Sequence, residues 1–143
     1  MGDASPRDVA LASSVVDLTP VRPDGIAPPA AHYAHGILAD GPQQLLHTSG
    51  VVPVGPDGVV PEGIAAQAEV VWSNLAAILE EAGLGMADVA LVTTYVVPGQ
   101  DLAPVMAARD QALRGHLAAS TLVVVAELAQ PSWKIEVAVV AAR

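Results

Sequence analysis

Glu136 is the one carboxylate in the run Ile135–Ala142, which is otherwise entirely apolar and follows Lys134. An acid enclosed by apolar groups suits general acid/base work, in which a proton is taken from water or a substrate and later returned. The same residue on an exposed strand face would only meet solvent or pair with Lys134. Arg109 raises a similar choice. It lies three residues after Met106, on one helix face within a stripe that is otherwise apolar, so it either contacts an anion or snorkels from the helix edge and pairs with another charge. Ser120 can offer a hydroxyl to a neutral carbonyl or simply close a strand, and no Ser-His-acid arrangement accompanies it. Tyr33 lies between His32 and His35, either of which could move a proton if it faced a pocket. The four histidines show no metal-ligand spacing, and there is no cysteine to supply a thiolate. Trp72 and Trp133 read as packing residues, with Trp133 close enough to Glu136 to edge a site.

The elements that must hold these residues are legible from the apolar pattern. Two apolar stretches, Tyr33 to Ala39 and Gln44 to Val54, flank Asp40-Gly41-Pro42 and predict a hairpin. Ile64, Ala68, Val71, Leu75, Ile78, Leu79 and Ala82 recur at helical spacing, placing Gln67, Ser73, Asn74, Glu80 and Glu81 largely on other faces. That helix should end at Gly83. Val89 to Val97 reads as a buried strand, and a second helix starts after Asp101, a candidate N-cap, and ends about Gly115. Thr121 to Leu128 and Lys134 to Ala142 are predicted as the last two strands, joined by a turn containing Pro131-Ser132. The order ββαβαββ predicts an α/β (α+β) domain, a mixed sheet with both helices on one face and the other face left for additional subunits.

The 143 residues are enough for one domain, and a 52% hydrophobic composition rich in Ala, Val and Leu, with no Phe, predicts a core of small branched side chains. Residues 1–28, with four prolines, read as an irregular N-terminal arm, and residues 29–143 as the domain. A formal charge of -9 opposes a phosphate backbone, so nucleic acid is not an expected partner. No apolar run reaches the roughly 18 residues of a membrane span, and the N-terminus lacks a cationic segment followed by a long apolar one; a soluble cytoplasmic protein is expected.

Tyr33-Ala34-His35-Gly36, Thr48-Ser49-Gly50 with Pro53, and Pro56-Asp57-Gly58 together resemble the opening of the RidA/YjgF family, with its Y-x-x-G and S-G-Q-x-P stretches. Ala66-Gln67, Asn74-Leu75, Ala82-Gly83, Val92-Thr93-Thr94-Tyr95-Val96 and Lys134-Ile135-Glu136-Val137 continue the likeness in order and spacing, from about Pro29 to the C-terminus. The resemblance implies a homotrimer of chorismate-mutase-like subunits with pockets for a small-molecule substrate at the subunit interfaces. It also implies hydrolysis of enamines or imines without a cofactor or metal.

On that likeness Glu136 handles water and protons, and Tyr33 orients the bound group. The family's carboxylate-gripping arginine belongs to a P-A-R-S/T stretch, which corresponds here to Ala118-Ala119-Ser120-Thr121, so Ser120 stands in the arginine position. A hydroxyl is one neutral donor where a guanidinium offers charge and a bidentate fork. Val51 stands for the glutamine of S-G-Q, and Met106 falls where many members carry asparagine. A pocket contacted by Ser120, Thr121, Val51, Met106 and a relocated Arg109 is therefore expected to take a less anionic substrate than a 2-imino acid. Tautomerisation, ring formation and non-catalytic ligand binding stay open on the same fold, and a ribonuclease role, ascribed to some relatives, is opposed by the acidic charge.

Overall fold

The computed structural model describes residues 16–143, so the first half of the expected arm lies outside the described residues. In chain order the elements are β1 (Leu18–Val21), β2 (Gly36–Ala39), β3 (Leu45–His47), α1 (Ile64–Glu81), β4 (Val89–Val96), α2 (Ala103–Leu113), β5 (Ala119–Val124) and β6 (Ile135–Ala142). Four strands form one mixed sheet in the order β3-β6-β4-β5, with β4 and β5 parallel and the other pairs antiparallel. The parallel pair is joined through α2, the crossover that such a pair requires. A two-stranded ribbon, β1 with β2, accompanies the sheet.

The periodicity of β6 divides the sheet into two faces. Ile135, Val137, Val139 and Ala141 are buried beneath the helices, whereas Glu136, Ala138 and Val140 alternate onto the opposite, open face. The registers carry this division across the sheet. Tyr95 is paired with Glu136, and Thr93 with Ala138 and Thr121, so all of these share the open face. Val92 pairs with Ser120, which puts Ser120 on the helical side. On that side Ala68, Val71, Trp72, Leu75 and Leu79 of α1 and Val105 and Leu113 of α2 pack against the buried strand residues.

Two sequence expectations are corrected. The stretches on either side of Asp40-Gly41-Pro42 do not form a hairpin with each other. β2 pairs with β1, and β3 pairs with β6. The physical reason lies in the link: the Gln43 and Gln44 N–H groups both donate to the Arg143 carbonyl, at 2.9 and 2.7 Å, and the Arg143 N–H donates to the Gln44 carbonyl at 3.0 Å. These bonds hand the chain to the end of β6. The irregular arm likewise contains β1.

The second correction concerns Gln67, expected on an outward face and found fully buried. Its amide nitrogen donates to the carbonyls of Pro61 (2.7 Å) and Ser132 (2.8 Å), and its Oε1 accepts from the Lys134 N–H (2.8 Å). A buried amide is tolerated because every one of these groups is satisfied. The bonds fix the loop before α1 and the entry to β6 against one side chain. Gln67→Leu keeps the volume but leaves two carbonyls and an N–H without that partner, so urea unfolding should show a loss of about 3 kcal/mol at unchanged slope. A loss below about 0.5 kcal/mol would mean that the amide does not hold these segments.

Candidate functional site

Glu136 enters β6 two residues after the Lys134 N–H held by Gln67, and its half-buried side chain faces the open side of the sheet. Across from it runs the segment 48–54, fixed at four points. Thr48 donates its N–H to the Val139 carbonyl and accepts the Val139 N–H on Oγ1, both at 3.0 Å. Val51 exchanges backbone bonds of 2.7 and 3.0 Å with Val137. Asn74 of α1 donates to the carbonyls of Val52 (3.4 Å) and Val54 (2.9 Å). Gly50 is thereby pressed against the Glu136 side chain. A Cβ added there would stand 2.6 Å from Cδ and 2.8 Å from Cγ of Glu136, a space that only glycine leaves open.

The Glu136 carboxylate makes no hydrogen bond or ion pair with any described residue, and Lys134 donates its ammonium instead to the Glu62 carbonyl. Pairing with Lys134 is thus not its role. It borders a cavity of about 300 Å³ together with Gly50, Tyr95, Val125, Glu127, Leu128 and Ala138. Two carboxylates and a phenol line this space, and no cationic side chain does. The arrangement can receive a small molecule, accept a proton from water at Glu136, and favour a cationic over an anionic occupant.

Tyr33 does not reach that cavity. It lines another, of about 540 Å³, with Arg22, Asp24, His32, His35 and Leu117 among its walls. The Tyr33 and His35 rings meet edge to face at 6.0 Å. His35 Nε2 lies 2.7 Å from the Ala27 carbonyl and His32 Nε2 3.4 Å from that of Gly115, so each ring is tethered through a donated N–H. This region abuts the outer edge of β5, where Ala34 bridges Ala119 and donates to the Ala118 carbonyl at 3.0 Å.

Arg109 is buried, at 6% exposure, and its guanidinium is committed. Nε and one terminal nitrogen donate to Asp110 Oδ1 at 2.9 and 2.8 Å, and the other terminal nitrogen donates to Ser120 Oγ at 3.1 Å. Arg109 and Ser120 therefore meet on the helical side, joining α2 to β5. Met106 is half-buried on α2, Val51 is half-buried and packs on the core, and Thr121 is exposed on the open face. Within one chain the structure brings Arg109 to Ser120, and Glu136 to Gly50, Tyr95 and Glu127. It does not bring Tyr33, Ser120 and Glu136 into one cavity.

Sequence reasoning singled out neither Tyr95 nor Glu127, and quoted Gly50 only within a motif. Tyr95 was accessible from period-two alternation in its strand, because residues 92, 94 and 96 are the buried set. Glu127 offered a signal as an acid after the apolar run Leu122 to Ala126, but its proximity to Glu136 depends on how the turn folds.

Comparisons with known proteins agree with this architecture. The family model described as Endoribonuclease L-PSP matches residues 25–143. The chain is 38% identical over 103 residues to the 2-iminobutanoate/2-iminopropanoate deaminase of Escherichia coli K12, covering 69% of this chain and 80% of the relative. Among solved structures, a Rid-family protein from Yersinia pestis, titled as of unknown function, superposes with a TM-score of 0.80 at 27% identity, covering 87% of this chain and 98% of that one. The YjgF gene product of E. coli gives 0.65 at 34% identity, covering 80% and 91%.

The Gly50 contact yields a prediction. Gly50→Ala must displace the Glu136 side chain while leaving the buried helical core untouched. We expect a crystal structure of the variant to show Glu136 in a different rotamer, with urea stability within about 1 kcal/mol of the unmodified protein. An unmoved carboxylate would contradict the contact.

Proposed function

We propose that this chain, which belongs to the RidA/YjgF family, hydrolyses a reactive imine or enamine to a carbonyl compound and ammonia without a cofactor. Imine deamination is the activity in the name of the E. coli relative. The observation that carries the reading to this chain is the Glu136 carboxylate, unpartnered among the described residues and held over Gly50 in a small cavity.

Protonated imine carbon is electrophilic, and Glu136 takes a proton from the water that attacks it. The new C–O bond gives a carbinolamine. Glu136 returns the proton to its nitrogen, then takes the carbinolamine O–H proton as the C–N bond breaks, so the carbonyl forms and the departing ammonia leaves with that proton as ammonium. Atoms balance with one water consumed.

The substrate is less anionic than a 2-imino acid. A substrate carboxylate about 6 Å from either Glu127 or Glu136 is repelled by about 1–3 kcal/mol at an effective dielectric of roughly 20–40, and a cationic iminium is attracted by a similar amount. The guanidinium that could offset this, on Arg109, is already bound by Asp110 and Ser120.

The working form is a homotrimer. The open face carries Leu91 and Val123, 37% and 39% exposed, around the half-buried Tyr95 and Ala138, and such a face is suited to cover by further copies. Docking of one copy's β5 edge, with Tyr33 nearby, against another copy's open face would complete a site that a single chain leaves divided.

Ammonia release from imines generated in situ by an amine oxidase or amino-acid oxidase tests the reaction. Glu136→Ala should lower kcat/KM by about 100-fold or more without changing assembly mass. Failure of the unmodified protein to accelerate release from any member of a broad panel would leave a binding role in place of the enzyme. If sites form between copies, mixed assemblies of Glu136→Ala and Tyr33→Phe should recover about one quarter of the full activity, the fraction of intact sites in a random mixture. No recovery from two inactive variants would place the whole site in one chain.

A further inference from the structure

On the helical layer, away from Glu136, a cleft of about 480 Å³ lies between α1 and α2. Its apolar lining, Ala76, Ala108, Ala112 and Met86, is mostly small, and this leaves room between the helices. Among its polar lining residues, the exposed Arg114 and Glu69 and the nearly buried Trp72 carry the groups best suited to a charged ligand.

Arg114 is the first. α2 ends at Leu113, and Arg114 adopts the left-handed conformation with φ 49° and ψ 45°, immediately before Gly115 at φ 85°. It is the only non-glycine residue with positive φ among the described residues. An arginine there costs about 1 kcal/mol relative to glycine, which is the usual residue for that helix-ending position. Its guanidinium has no hydrogen-bond or ion-pair partner in the described chain, in contrast with Arg109 and Arg143. Backbone strain is thus accepted at an exposed side chain that pairs with no described charge.

Glu69 lines the same cleft and is also unpaired, so two opposite charges flank one space without closing on each other to within 4.0 Å. Trp72 is the third. It is 5% exposed and lines the cleft, its indole N–H donates to nothing in the described chain, and no sealed side-chain nitrogen is left unpaired, so that N–H keeps contact with solvent. An acceptor in the cleft would replace the water that this N–H otherwise meets.

We infer that this cleft is a binding site for a free α-amino acid with an aliphatic side chain. The carboxylate is held by Arg114 and the Trp72 N–H, the ammonium by Glu69, and the side chain lies on Met86 and the alanines. The volume falls within the range of small-ligand sites, and a few convergent polar groups over an apolar floor is the usual composition of one. The inference is independent of the chemistry proposed at Glu136, which stands on the opposite face of the sheet.

Titration calorimetry of the full chain with L-leucine tests it, with 4-methylpentanoate and 3-methylbutylamine as probes that each lack one charge. Saturable binding of L-leucine, weakened about tenfold or more in each of the two probes, is expected. Arg114→Gly relieves the left-handed strain, so it should hold or raise the thermal midpoint while weakening L-leucine binding by about tenfold or more. Glu69→Gln should weaken L-leucine and leave 4-methylpentanoate unchanged. No saturable binding of L-leucine, or equal binding by Arg114→Gly, would overturn the site; equal binding of L-leucine and 4-methylpentanoate would overturn its assignment to amino acids.

Discussion

The buried amide of Gln67 is the interaction on which the placement of the chemistry depends. It satisfies the carbonyls of Pro61 and Ser132 and the N–H of Lys134, so one side chain sets where α1 begins and where β6 enters the sheet. A one-residue slip of β6 would turn Glu136 inward and Ile135 outward. Two turns along the same helix, Asn74 holds the segment after Gly50 by the Val52 and Val54 carbonyls. The carboxylate is positioned by its strand, and the glycine that makes room for it by the loop, with α1 anchoring both.

The sheet separates two kinds of polar work. On the helical side, Arg109 satisfies Asp110 and Ser120 and ties α2 to β5, so its charge stabilises a buried junction. Such a guanidinium is costly to redirect, because freeing it would leave the half-buried hydroxyl and the Asp110 contact to be satisfied by something else. On the open side, Glu136 and Glu127 share a cavity with no counter-charge among its lining residues. The guanidinium beside Ser120 is occupied, and the cavity bordered by Glu136 is acidic.

Much of this arrangement was legible in the sequence. α1 and the strands β4 and β6 follow from helical and period-two spacing, and Glu136 stood out as the acid in an apolar strand. Local pattern failed where distant groups decide. Gln67 looked outward because its partners at Ser132 and Lys134 are 65 and 67 residues away and appear in no local periodicity. The stretches around Asp40-Gly41-Pro42 looked like a hairpin because their composition is right for one, while bonds to Arg143 at the far end of the chain direct the second of them to β6. Arg109 was flagged by an unusual place in an apolar stripe, but whether it faced a ligand or the protein depended on Ser120 lying beside it.

Glu136 is proposed to act in a cavity suited to a substrate without a carboxylate. The most direct test is the ratio of kcat/KM for ammonia release from two imines of the same carbon skeleton, one uncharged or cationic and one bearing a 2-carboxylate. The unmodified protein should favour the first by about tenfold or more. A preference for the carboxylated imine, or turnover of neither, would contradict it.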